Sequence, residues 1–168
     1  MKKNKKVISF EKICSKVINN PEYLKRKKFE HHENESVYEH CLLVAKFAYN
    51  WAVKCKNVDV ESVTIAALLH DFYSTPWQTK KKSKKKEKFF EKHGFVHARI
   101  ALENSRKYFP ELMNEKIEDS ILRHMFPLNI VPPKYKESWI VNLSDTFVSL
   151  NVLKHPTKLL KYVGFTKK

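Results

Sequence analysis

Four histidines, His40, His70, His93 and His124, and two aspartates, Asp71 and Asp145, fall on or beside apolar helical patterns that would turn them inward. Imidazole nitrogens and carboxylate oxygens are the donors that hold divalent first-row metals. A single histidine on an apolar stripe is ordinarily a hydrogen-bonded core residue. Burying six ionisable groups together is costly unless they coordinate something, so the set as a whole points to a metal site.

The elements that must position these residues are helical. Val7 to Val17 carries apolar residues at near-helical spacing, and Asn20-Pro21 reads as the N-cap and first position of a second short helix. Ser36 starts a stronger pattern in which Leu43, Val44, Phe47 and Trp51 share an apolar stripe, with His40 one turn before Leu43 and Val44. Asp59 caps a helix with Val63, Ala66, Ala67 and Leu68 that ends in His70-Asp71. A helix from about Glu91 to Tyr108 carries His93 and His97, and Pro110 ends it. Asn114 caps the next, which places Ile117, Ser120, Ile121 and His124 on one face before Phe126-Pro127 breaks it. Pro132-Pro133 is expected to open a last helix with Ile140, Leu143, Phe147 and Leu150 as its buried stripe and Asp145 beside it.

Composition agrees with that reading. The 168 residues suit one domain with a sizeable core, 42% hydrophobic content argues against disorder, and two glycines leave few sharp strand turns. The expected fold is all-α, a single helical bundle over 1–168. Cys14, Cys41 and Cys55 include no CxxC pair and are odd in number, which argues for reduced thiols and a cytoplasmic protein. Cys41, next to His40, should point about 100° away around its helix. The lysine-rich start is followed by no uninterrupted apolar stretch, so no leader or membrane span is expected.

The formal charge of +15 implies attraction to polyanions. Seven lysines and one glutamate between Lys80 and Lys88 carry +6 of it, leaving the remainder basic. Such a run reads as a solvated loop or as an electrostatic funnel for a phosphate-bearing ligand.

The segments SVYEHCLLVA, AALLHDFY and WIVNLSDTFVS, with HGFVHARIAL and ILRHMFP between them, resemble the HD-domain metal-dependent phosphohydrolases. The resemblance runs from about Ser36 to Ser149, a motif-bearing core of about 36–150. It implies that His40, His70, Asp71 and Asp145 ligate a first metal, that Asp71 bridges to a second and acts in catalysis, and that His93 and His124 complete the second site. His93 and His97 stand at i and i+4, so they either chelate one ion together or divide between metal and substrate, and the family's pattern favours His93 as the ligand. The lysine or glutamate that often follows the HD pair is missing, since the chain reads Phe72, Tyr73, Ser74, Thr75. That favours hydroxide held between two metals over a protein general base.

The donor set suits manganese, iron, nickel, cobalt or zinc. The implied substrate is a small phosphomonoester, nucleotide or cyclic nucleotide. His97, Arg123, Lys134 and Lys136 are candidates to meet its phosphate, although surface lysines and arginines are usually just solvated. Trp77 and Trp139 could stack on a base, although aromatics at helical spacing are more often core. Two other functions stay open, a basic nucleotide- or nucleic-acid-binding module with little turnover and a di-iron oxygenase of the same family.

Overall fold

The computed structural model describes residues 8–32, 35–73 and 89–154, without the side chains of 30–32, 89–95 and 151–154. The fold is all-α: α1 (Phe10–Ile18), α2 (Pro21–Leu24), α3 (Val37–Ala52), α4 (Val60–Leu69), α5 (Phe89–Tyr108), α6 (Glu115–Arg123) and α7 (Lys136–Lys154). Two short strands, β1 (Glu30–His32) and β2 (Glu35–Ser36), pair antiparallel just before α3, with Glu30 opposite Ser36 and His32 opposite Glu35. The Lys80–Lys88 run, Trp77 and the side chain of His93 lie outside the described residues.

Capping chemistry sets the helix starts. Asn20 accepts from the Glu22 and Tyr23 amides with Pro21 at the first position, Asp59 accepts from the Ser62 amide, and Asn114 accepts from the Lys116 and Ile117 amides. Each supplies an acceptor to amides that the helix itself leaves unpaired. Ser36 does this within a full capping box, its hydroxyl accepting from the Glu39 amide while the Glu39 carboxylate accepts from the Ser36 amide. His40, one residue beyond Glu39, is thereby fixed in the first turns of α3.

α4 is the central helix. Every residue from Ser62 to Leu69 is buried, as expected for a VESVTIAALL segment that is apolar nearly all round. It packs against α1, α3, α6 and α7, while α3 also meets α7, and α6 meets both α5 and α7. One apolar core links these helices, from Ile13 and Val17 through Leu43, Leu68 and Ile121 to Val141 and Val148. No helix among the described residues is long and apolar enough to cross a membrane.

α7 differs from expectation in two ways. It begins at Lys136, not after Pro132-Pro133, because the Asp119 carboxylate accepts from the Lys134 amide at 2.9 Å and ties the entering chain to α6. Its inward face is also not the expected one. Ile140 is buried, but Leu143, Phe147 and Leu150 are 44%, 45% and 54% exposed, and Val141, Asn142, Ser144 and Val148 point inward instead. Polar pairing decides the rotation. Asn142 donates to the carbonyls of His124 and Phe126 at 2.6 and 2.7 Å, and Ser138 donates to Asp119 at 2.6 Å. Left unpaired, each of those buried groups would cost about 1–3 kcal/mol. On the outer surface Phe147 stacks on half-buried Phe47, ring centroids 4.6 Å apart, and Trp51 at the end of α3 is exposed rather than part of the buried stripe.

Candidate metal centre

The candidate ligands come from separate helices and meet at one point. His40 leaves the second turn of α3, His70 caps the C-terminus of α4 with Asp71 following, His97 sits on α5, His124 caps α6, and Asp145 lies midway along α7. His40, His70 and His124 are at most 2% exposed, and Asp71 is 7% exposed. The AALL run before His70 and the CLLVA run after His40 carry those two imidazoles into the core, and Ile117, Ser120 and Ile121 on the same face of α6 do so for His124.

The donor atoms converge. Nε2 of His40 is 3.0 Å from Oδ1 of Asp145, and Nε2 of His70 is 3.6 Å from that same oxygen and 3.7 Å from Oδ2 of Asp71. The other Asp71 oxygen, Oδ1, is 3.4 Å from Nε2 of His97 and 3.6 Å from Nε2 of His124, and those two nitrogens are 3.0 Å apart. Two triads of possible ligands follow, His40, His70 and Asp71, and Asp71, His97 and His124. Asp71 belongs to both and offers one oxygen to each side. Donors bound to one ion at roughly 2.1 Å stand about 3.0–3.4 Å from one another in octahedral or tetrahedral shells. The His40–Asp145, His97–His124 and His97–Asp71 separations fall in that range, and those from His70 and from His124 to the carboxylates are longer, at 3.6–3.7 Å.

The outer ring nitrogens show which atoms are free to coordinate. Nδ1 of His70 lies 2.8 Å from the Ala67 carbonyl and Nδ1 of His124 lies 2.7 Å from the Ile121 carbonyl. A carbonyl only accepts, so each Nδ1 carries the proton and each Nε2 presents its lone pair to the cluster when the ring is neutral. Nε2 of His70 is buried with no hydrogen-bond partner. Such an atom, aimed at two carboxylates just beyond hydrogen-bond length, fits a metal ligand better than a member of a satisfied polar core.

Electrostatics divide the cluster. Burial pushes the His40 imidazole down, but the hydrogen-bonded Asp145 carboxylate and the nearby Glu35 carboxylate outweigh it and hold the pKa at about 10. Burial also works against charge on His70, yet the Asp71 charge, the nearby Cys41 thiol and Asp145 keep it well above its ordinary value. For Asp145 burial would raise the pKa, and His40 and His70 instead hold it well below the usual range. His124 goes the other way, pushed to about 4 by burial and by the charges of His70 and His97.

Of the other candidates, Arg123 precedes His124 and lies 3.7 Å from Asp119, and Lys134 sets its ammonium over the Tyr135 ring. Trp139 is half exposed and edge-on to Phe126. Cys41 is buried with Val37 and Tyr73, and its thiol lies against the His70 ring. Sequence reasoning passed over two neighbours. Tyr73 meets His97 edge-on at 6.4 Å, and the Glu35 carboxylate lies 3.8 Å from Nδ1 of His40.

Residues 37–150 match the HD domain family. Over 42 residues the chain is 50% identical to an uncharacterized protein of Methanocaldococcus jannaschii, an alignment covering 23% of this chain and 25% of that protein. The match thus spans about a quarter of that relative's length. No solved structure matches the chain.

Proposed function

The chain belongs to the HD domain family, and from that membership we propose that it is a metal-dependent phosphohydrolase acting on a small phosphomonoester, nucleotide or cyclic nucleotide. The observation that carries this reading is the pair of three-donor groups joined through Asp71. His40, His70, Asp71 and Asp145 would hold one divalent ion, and Asp71, His124 and His97 a second. His97 enters as a ligand on its 3.0 and 3.4 Å separations from His124 and Asp71, and His93 remains a candidate for the same ion.

Two such ions, when bound, supply Lewis acidity to a phosphoryl group and activate water at neutral pH. The protein's own residues do the rest. Asp71 would contribute a ligand to each ion, since its two oxygens face opposite sides of the cluster, Oδ2 towards His70 and Oδ1 towards His97 and His124. Asp145 balances the charge of the enclosed side between His40 and His70. His97, whose side chain is 25% exposed, marks the side from which a substrate enters. Phe72 and Tyr73 follow the HD pair where a general base would stand, so proton transfer falls to the metal-site groups. Arg123 and Lys134 are the cations proposed to neutralise non-bridging phosphate oxygens.

The test is metal analysis of the purified protein followed by a manganese-supplemented screen of phosphoesters. The wild type should carry divalent metal and release inorganic phosphate from at least one ester. His70→Ala/Asp71→Ala should lose both metal and turnover while keeping its helical circular dichroism. Full metal content in that double variant would remove the site.

A further inference from the structure

Three histidines point into the buried part of the centre, and two of them have their outer nitrogen tied to a carbonyl one turn back. Both carbonyls belong to the histidine's own helix. His40 stands in the first turns of α3 and meets a carboxylate instead, with Oε2 of Glu35 3.8 Å from Nδ1.

Glu35 is held where it is by its surroundings. It lies on β2, opposite His32, and the residue after it is the N-cap of α3. The Phe29 carbonyl accepts from the Val37 amide at 2.8 Å, closing the hairpin onto the helix start. Acidic residues near a helix start commonly serve the orphan amides, but Glu39 already fills that role, accepting from the amide and hydroxyl of Ser36 at 2.9 and 2.8 Å. The Glu35 side chain is 6% exposed, so it is not a solvated acid either. It also lies outside the segment that matches the family, which begins at residue 37.

We propose that Glu35 is a positioning residue for the metal centre: it accepts the Nδ1 proton of His40 and so fixes the ring with Nε2 as the coordinating atom. The inference rests on the metal-site reading above. A separation of 3.8 Å is ion-pair reach and roughly 0.8 Å longer than a hydrogen bond. Catalytic-site hydrogen bonds are often long in the unliganded protein and shorten in the complex, and this contact should shorten likewise. A carboxylate behind a coordinating imidazole both sets the tautomer and raises the basicity of the ligating nitrogen. The β1–β2 hairpin thereby becomes part of the site.

The experiment compares wild type, Glu35→Gln and Glu35→Ala as full chains, with zinc as the probe. Zinc affinity is measured by competition with a chromophoric chelator, and the imidazole nitrogens of His40 are followed by long-range nitrogen–proton correlation NMR in the zinc-loaded proteins. Removing a carboxylate of this type typically weakens metal binding about 10–100-fold. The tighter zinc of Glu35→Ala should weaken by that factor, with the His40 Nδ1 proton no longer held. Glu35→Gln keeps an acceptor of the same shape and should recover part of the affinity and the wild-type tautomer. Unchanged zinc affinity in Glu35→Ala, or an unchanged His40 Nδ1 signal in a folded Glu35→Ala, would overturn the assignment, as would an equal loss of affinity in Glu35→Ala and Glu35→Gln. A wild type that takes up no zinc at His40 would remove the metal reading itself, and Glu35's role with it. Uptake by wild type and Glu35→Ala alike would remove only the latter.

Discussion

The pKa values of His40 and His124 are shifted in opposite directions, and the metal-free protein should show it. His40, held near 10, stabilises the fold fully below the ordinary histidine value of about 6.5, and that contribution is lost as pH rises from there through 10. His124, held near 4, is neutral in the fold, so protonation in the unfolded chain costs stability as pH falls from about 6.5 toward 4. Melting in the presence of a chelator should therefore peak near pH 6–7 and fall on both sides. A flat profile between pH 6 and 9 would show that His40 is not held charged. The same pair separates one ion from two. His124→Ala should lower metal stoichiometry and remove most hydrolysis while the ion held by His40, His70, Asp71 and Asp145 stays, and unchanged stoichiometry by elemental analysis would count against a second site. These histidines were legible in the sequence because a titratable group on an apolar face is conspicuous. Glu35 was not, since an acid beside a helix start reads as capping chemistry until Glu39 is seen to do that work. His93 and His97 share a face one turn apart, so spacing could not choose between them.

Helix starts were the most legible elements, because Asn20, Ser36, Asp59 and Asn114 each carry a local acceptor whose effect needs no tertiary partner. The face of α7 was not legible. Its large apolar residues and its small polar ones lie on different sides, and hydrophobicity alone picks the former. What turned the helix was pairing across to α6, through Asn142 and Ser138, which no reading of α7 by itself contains. A pair of substitutions checks this rotation. Val148→Ala, at a fully buried position, should cost about 2 kcal/mol, whereas Leu143→Ala, on the outer face, should stay within about 0.5 kcal/mol. Denaturant midpoints measure both, and a larger loss at Leu143 would reverse the assignment of faces.

Across the whole molecule, the centre ties together chain segments far apart in sequence, His40 and Asp145 being 105 residues apart. All the major helices except α1 bring a residue to it or end at it. The centre is not equally enclosed on its two sides: His40 and His70 are sealed in the core, while His97 is a quarter exposed. That asymmetry has a kinetic consequence. An ion bound on the His97 side would exchange directly with solution, so a chelator such as EDTA should strip it at a rate proportional to chelator concentration. An ion bound between His40 and His70 would need the surrounding helices to open before it left, and its departure would then be paced by that opening, however much chelator is present. Stopped-flow chelation of the loaded protein should thus resolve two phases, one first order in chelator and one indifferent to it. The slow phase would give the lifetime of the closed helices around that ion, with a departing ion as the clock.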